Sequence, residues 1–293
     1  MYDMKALYQA ASVSDAVALR LAHPEAQIIA GGSDVLVQMR EGKRAGAELI
    51  SIHGLDELRG VTLEADGTLR IGSLTSFSHI TRDPLIQRYL NVLGEAVDQV
   101  GGPQIRNIGT IGGNTCNGVT SADSASTLFA YDAVIELTGP NGKRLVPIQD
   151  FYIRAGKVDI REGELQTAIL ISRESYENTH GHYIKYAMRS AMDIATLGTS
   201  VNVRLSADKK TVERARVAFG VAGPVPLRAA HAEALAAGQP VSMELAERFA
   251  QAVKDDINPR DSWRAARDFR LHIAVESAKR AFLESVRLAG GEL

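Results

Sequence analysis

The chain has 293 residues, 45% of them hydrophobic and 23% charged, with a formal net charge of −2; that length accommodates two domains, and that balance is ordinary for a globular protein. A pI near 6.4 excludes the basic type of nucleic-acid binder, and no run approaches the roughly eighteen apolar residues of a membrane span. The lone cysteine, Cys116, excludes a disulfide scaffold, a cysteine zinc site and an iron–sulfur cluster held by this chain; with no cationic-then-apolar leader in MYDMKALYQAAS, it predicts a cytoplasmic protein.

Residues 1 to about 54 read as a βαβ unit. Ser12 and Ser14 are N-cap candidates for a helix carrying Ala16, Val17, Leu19 and Leu21. Residues 27–30 form a short strand that runs into Gly31-Gly32-Ser33-Asp34, and 47–52 form another. From 60 to about 175 the pattern is mixed. Strands 61–64 and 68–71 flank Asp66-Gly67, a strong hairpin signal. Residues 73–99 are largely helical with a break at Asp83-Pro84. A second glycine-rich stretch follows, then a helix over 121–132 with Ser121 or Asp123 near its start. Strands 134–138 and 143–148 flank Gly139-Pro140-Asn141-Gly142, and 164–171 is a further strand. Beyond 176, strands at 183–188, 199–205 and 214–222 precede helices at 229–237, 243–253 and 262–286. A sheet followed by a helical cluster predicts a separate α+β domain. The expected division is 1–175, with subdomains of about 1–54 and 60–175, and 176–293.

Each glycine-rich stretch, Ile28 to Val35 and Gln104 to Asn114, offers a paired glycine and then a polar side chain. Backbone without Cβ atoms comes close to a ligand and points N–H groups at anionic oxygens. Two such stretches predict a split site for a ligand with a diphosphate. The Rossmann GxGxxG is missing. His180 and His182 share a loop without a third ligand, so no metal site is expected.

The segments AGGSDV and QIRNIGTIGGN, followed by Thr115-Cys116-Asn117-Gly118-Val119-Thr120-Ser121-Ala122-Asp123, resemble the flavin-binding subunits of molybdenum hydroxylases. KYAMRSAMDIA at 185–195 and SWRAARDFR at 262–270 extend the resemblance over the whole chain, which within that family is similar to the bacterial xanthine dehydrogenase type. The resemblance implies an α+β fold: a two-subdomain FAD-binding module of the vanillyl-alcohol-oxidase (PCMH) type, then an antiparallel sheet with a helical cluster of the CO dehydrogenase flavoprotein C-terminal type. It implies non-covalent FAD, and a hetero-oligomer with a molybdopterin-binding subunit and a subunit carrying 2Fe–2S clusters. Electrons would pass from those clusters through FAD to NAD+. Another molybdenum hydroxylase, of the carbon monoxide or nicotinate type, and a self-contained FAD reductase are the competing readings.

The same resemblance assigns the cofactor residues. Ile28, Ile29, Ala30, Gly31, Gly32, Ser33, Asp34 and Val35 form the first contact, with N–H groups and the Ser33 hydroxyl on the pyrophosphate. Asp34, a carboxylate, would orient the loop or bond a hydroxyl. Gly109, Thr110, Gly112, Gly113, Asn114, Cys116 and Asn117 complete the cradle. Asn117 and Asp123 match positions on the ribityl chain and adenosine hydroxyls. Lys185 matches a lysine near the flavin ring, with Asp193 a candidate partner for Lys185 or Arg189. Val100 falls where some relatives place an aromatic over the ring. Cys116 reads as a small buried residue. Arg260, Trp263, Arg264, Arg267 and Arg270 read as a basic helix face for a partner, with Asp261 and Ser262 capping the helix and Trp263 and Phe269 on the sheet.

Overall fold

The computed structural model describes residues 3–293. It builds three principal sheets, each beside its own apolar core. The first unit holds β1 (Met4–Gln9), α1 (Val13–Ala22), β2 (Gln27–Ile29), α2 (Val35–Arg40) and β3 (Ala47–Ser51). Its strands are parallel in the order β1-β3-β2. Ser12 caps α1, its hydroxyl accepting from Asp15 N–H at 3.1 Å, whereas Ser14 lies inside the helix. Ala16 and Val17 are buried. The edge strand β1 is mostly exposed and α2 is six residues long; neither carries a periodicity strong enough to mark it in sequence.

The second unit holds β4 (Val61–Leu63), β5 (Leu69–Gly72), α3 (Phe77–Arg82), α4 (Pro84–Tyr89), α5 (Asn91–Asp98), α6 (Pro103–Ile108), α7 (Ile111–Asn117) and α8 (Asp123–Ala130). After them come β6 (Val134–Gly139), β7 (Gly142–Pro147), α9 (Ile148–Phe151), β8 (Tyr152–Arg154), β9 (Lys157–Val158), β10 (Leu165–Ile171) and α10 (Arg173–Tyr176). An antiparallel sheet runs β4-β5-β10-β6-β7. Both hairpins form at their turns: Gly67 takes φ +86°, and Gly139 pairs with Gly142. Asp83 caps α4, accepting from Leu85 N–H at 2.9 Å, with Pro84 at the first helical position. The second glycine-rich stretch is helical at both ends, closing α6 and opening α7. α7 opens where the Thr110 hydroxyl accepts from Gly113 N–H at 3.1 Å and starts a helical turn.

The third unit is the antiparallel sheet β11 (His180–Tyr186), β12 (Leu197–Leu205), β13 (Val212–Gly220) and β14 (Leu227–Arg228), with α11 (Ala230–Ala236), α12 (Met243–Ala252) and α13 (Arg267–Leu288). α13 lies along β11 and β12, and the sheet packs on α5 and α8 of the second unit. The last helix starts later than its sequence indicates: its N-cap is Ala266. Arg270 is buried, 2% exposed. It donates to Ser262 Oγ at 2.7 Å, to Thr196 O at 3.3 Å and to Arg260 O. Residues 260–265 therefore fold back over Arg270 instead of continuing the helix. Asp261 still serves α13, accepting from Arg267 N–H at 2.7 Å.

Candidate cofactor site

A cleft of about 580 Å3 lies between the first and second units. Of the expected residues it is lined by Ile28, Ala30, Gly31–Val35, Val100, Gly109, Thr110, Gly112–Asn114, Cys116 and Asn117. Ile29, Asp123 and Lys185 are not on its wall.

The first stretch is held open by its glycines. A Cβ on Gly31 would sit 1.8 Å from Ile108 O, so the loop is pressed against the end of α6. Gly32 takes φ +72°, which L side chains rarely adopt. Among the described residues, the backbone N–H groups of Gly31 to Val35 meet no acceptor. These half-exposed donors at the start of α2 are left for solvent or a bound acceptor. Asp34 turns away: it accepts from Gln38 Nε2 at 2.5 Å, and Gln38 in turn accepts from Arg44 Nε at 2.5 Å. That chain of hydrogen bonds ties Asp34 to α2 and to Arg44.

The second stretch does something different. Ile111 N–H donates to Thr75 O at 3.0 Å, Gly112 N–H to Ser73 O at 2.9 Å, and Asn114 N–H to Thr110 O at 3.0 Å. Gly113 N–H is taken by Thr110. The expectation that both stretches present free N–H groups is thus corrected; the backbone at Ser73 and Thr75 and the first turn of α7 consume the second set. A Cβ on Gly112 would sit 2.6 Å from Ser73 Cβ, so that glycine serves packing. A Cβ on Gly113 would meet only Thr110 Oγ1, at 2.9 Å, so this glycine borders open cleft. Asn114, on the cleft wall, accepts from Ser124 Oγ at 2.7 Å.

One end of the cleft has a polar floor that sequence reasoning missed: Arg20, Ser73, Glu164 and Gln166. Arg20 Nε, Ser73 Oγ and Gln166 Nε2 are buried without a partner among the described residues. Glu164 is bound twice by Arg144, at 2.6 and 2.7 Å, and that hydrogen bonding holds its carboxyl below the ordinary range. Burial pushes the Cys116 thiol up to about 12, so it is a neutral donor, 3.0 Å from Gln166 Oε1. Arg20 reads in sequence as a solvated helix residue, and Gln166 as a polar interruption of an apolar strand. Gln38, Arg44, Phe77 and Ile105 also line the cleft unannounced.

Past the other end, Lys185 Nζ lies 2.8 Å from Asp123 Oδ2 and 2.9 Å from Gln99 O, next to Val100 of the cleft wall. Tyr183 donates to Asp123 Oδ1 at 2.8 Å. Burial raises the Asp123 pKa, opposed by Lys185 and Tyr183. Each Asp123 oxygen has one partner within the protein, and the residue lies off the cleft wall. Asp193 accepts from Arg189 N–H at 3.0 Å and pairs with its guanidinium, not with Lys185. Trp263 is 78% exposed with Arg264 stacked on it at 4.2 Å. It does not pack on the sheet; Phe269 does reach Tyr186, edge to face at 5.8 Å. Among the described residues, no three His, Cys, Asp or Glu side chains are grouped to hold a metal ion. No helix there is long and apolar enough to cross a membrane.

Residues 2–173 match the model of the FAD binding domain in molybdopterin dehydrogenase, and 182–285 that of the CO dehydrogenase flavoprotein C-terminal domain. The chain is 42% identical to the xanthine dehydrogenase FAD-binding subunit of Escherichia coli O157:H7 over 293 residues, all of both chains. It is 30% identical to the carbon monoxide dehydrogenase medium chain of Hydrogenophaga pseudoflava over 271 residues, covering 92% of this chain and 93% of that one. A solved carbon monoxide dehydrogenase from Hydrogenophaga pseudoflava superimposes with a TM-score of 0.91 over 99% of both chains, at 30% identity. The cleft with its open loop therefore sits in a chain that belongs to the family of FAD-binding domains of molybdopterin dehydrogenases, joined to a CO dehydrogenase flavoprotein C-terminal domain.

Proposed function

We propose that the chain is the non-covalent FAD-binding, electron-transfer subunit of a molybdenum hydroxylase of the xanthine dehydrogenase type. The observation that carries the reading is the first loop, whose N–H groups from Gly31 to Val35 border the cleft without acceptors. A diphosphate supplies the missing acceptors. The rest of the cleft fits the same group. Gly113 leaves room where backbone must come close, and Arg20, Ser73 and Gln166 offer unpartnered polar atoms. Phe77, Val100 and Ile105 form an apolar wall on the side of Lys185; a flavin ring belongs there.

Bound FAD supplies the exchange between one-electron and two-electron carriers. The chain's own work is to bind it, orient it and exclude water. The Lys185 ammonium, held by Asp123, puts positive charge beside the ring end of the cleft. Burial keeps the Cys116 thiol protonated, which favours a non-covalent cofactor. A chain with one cysteine holds no iron–sulfur cluster, so on this reading the one-electron donor is a partner. We take that partner to carry 2Fe–2S clusters, fed by a molybdopterin-binding subunit that oxidises a purine, with NAD+ as final acceptor in the cytoplasm. The 42% identity to a xanthine dehydrogenase FAD-binding subunit supports this choice over the carbon monoxide type, at 30%.

The test is direct. Purified protein should be yellow, and acid denaturation followed by filtration should release FAD, read by chromatography. Protein that takes up no FAD from solution would sink the reading; flavin retained on the denatured polypeptide would sink its non-covalent part.

A further inference from the structure

We propose that Gln166 reads the adenosine half of the bound dinucleotide, donating a hydrogen bond from Nε2. The proposal rests on the FAD reading above and deepens it. Gln166 lies on β10, the central strand of its sheet. Strand alternation sends neighbouring side chains to opposite faces. Yet Leu165 and Gln166 both line the cleft, and the pairing of β10 with β6 shifts register between Gln166 and Ala168. A bulge re-aims a side chain at the cost of ladder regularity; here it turns a buried amide toward the cleft.

The amide is also pre-oriented. Gln166 is 2% exposed. Its Oε1 accepts from Thr115 Oγ1 at 2.8 Å and from Cys116 Sγ at 3.0 Å. The Cys116 thiol, kept protonated by burial, is a donor. With the oxygen engaged by both, Nε2 is left buried without an acceptor among the described residues. An unmet donor at such depth is unfavourable until something accepts from it.

Its place in the cleft selects the half of the cofactor. The open loop touches α6 at Ile108 and Gly109. From that junction, α6 leads back toward Val100 and the Lys185 side, while α7 leads on to Thr115 and Cys116, which hold Gln166. A helix of seven residues spans about 10 Å. Gln166 thus sits at the far end of α7 from that junction, and we assign the adenosine to its side of the diphosphate loop. Arg20 Nε is unpartnered at the same end.

Replacing Gln166 leaves the local fold with alternatives, since Thr115 Oγ1 also reaches Ile111 O at 3.2 Å and Gly112 O at 3.1 Å. The experiment titrates deflavinated full-length wild type, Gln166→Met and Gln166→Leu with FAD by fluorescence quenching and with ADP by calorimetry. Methionine keeps the length of the side chain, so it serves as the folding-safe variant, and thermal melting of each apo protein verifies the fold. The expected result is an affinity loss of about tenfold for FAD and by the same factor for ADP. A loss for FAD with none for ADP places Gln166 at the flavin half and overturns the proposal. Unchanged affinity for both ligands overturns it too. Wild type that binds no FAD refutes the underlying cofactor reading instead, and is recognised before any variant is measured.

Discussion

Gly31 and Gly113 look alike in sequence, each one member of a glycine pair, yet the space beside them differs. The site for a Cβ on Gly31 is filled by the Ile108 carbonyl, and on Gly113 it borders the cleft. Gly31→Ala is therefore expected to damage the fold itself, with a marked fall in melting temperature with or without FAD. Gly113→Val is expected to keep most of the apo stability and lose FAD affinity by more than tenfold, because the side chain occupies ligand space. Thermal melting paired with flavin titration checks both; full flavin occupancy in a folded Gly113→Val protein would remove α7 from the site. The paired glycines, Ser33, Asn114 and Asn117 were legible as cleft residues because polar and glycine residues cluster around them. Arg20 and Gln166 were not, since burial of a polar side chain is decided by elements distant in sequence.

At the scale of elements, two ion pairs have different consequences. Arg144 on β7 grips Glu164 and also Asp159. The Glu164 pKa is depressed in the fold, chiefly by the Arg144 hydrogen bond. A depressed carboxyl contributes stability that is present above its ordinary value of 4.5 and is lost as pH falls through the lower folded value. Apo stability is expected to decline on acidification in that range, and Glu164→Gln to flatten the decline; identical pH profiles for wild type and variant would refute the assignment. The second pair joins α8 to β11, with both side chains below a tenth exposed. Asp123→Ala leaves the Lys185 ammonium without its counter-charge, at a cost of about 3 kcal/mol. Asp123→Leu combined with Lys185→Met should recover most of it, measured by urea unfolding. The pair was invisible in sequence: sixty-odd residues separate its members, and only the packing of the third unit on α8 brings them together.

For the whole molecule, the consequence is dependence on partners. The FAD-loaded chain alone is expected to form no NADH from xanthine, and to do so only after mixing with molybdenum and iron–sulfur subunits. Xanthine-dependent NADH formation by this chain alone would overturn the subunit reading. The expected basic helix face is not one surface. Arg270 is inside, Arg267 begins α13, and Trp263 with Arg264 stands on the strap before it. If that exposed pair meets the partner, Trp263→Ala leaves FAD content unchanged and lowers turnover of the mixed subunits several-fold; unchanged turnover across a salt series would place the docking face elsewhere.

The amino-acid sequence by itself determined both hairpin turns, the cap at Ser12, the break at Asp83-Pro84, and the glycine-rich stretches within 28–35 and 109–117. All of these rest on interactions between residues near one another in the chain, which periodicity and turn chemistry report. Only the tertiary structure decided which N–H groups remain free, which glycine packs and which borders the ligand space, and where Asp123, Lys185, Arg20, Gln166 and Arg270 find or lack partners. Those outcomes depend on which distant backbone reaches a given donor first, and local pattern holds no record of that contest.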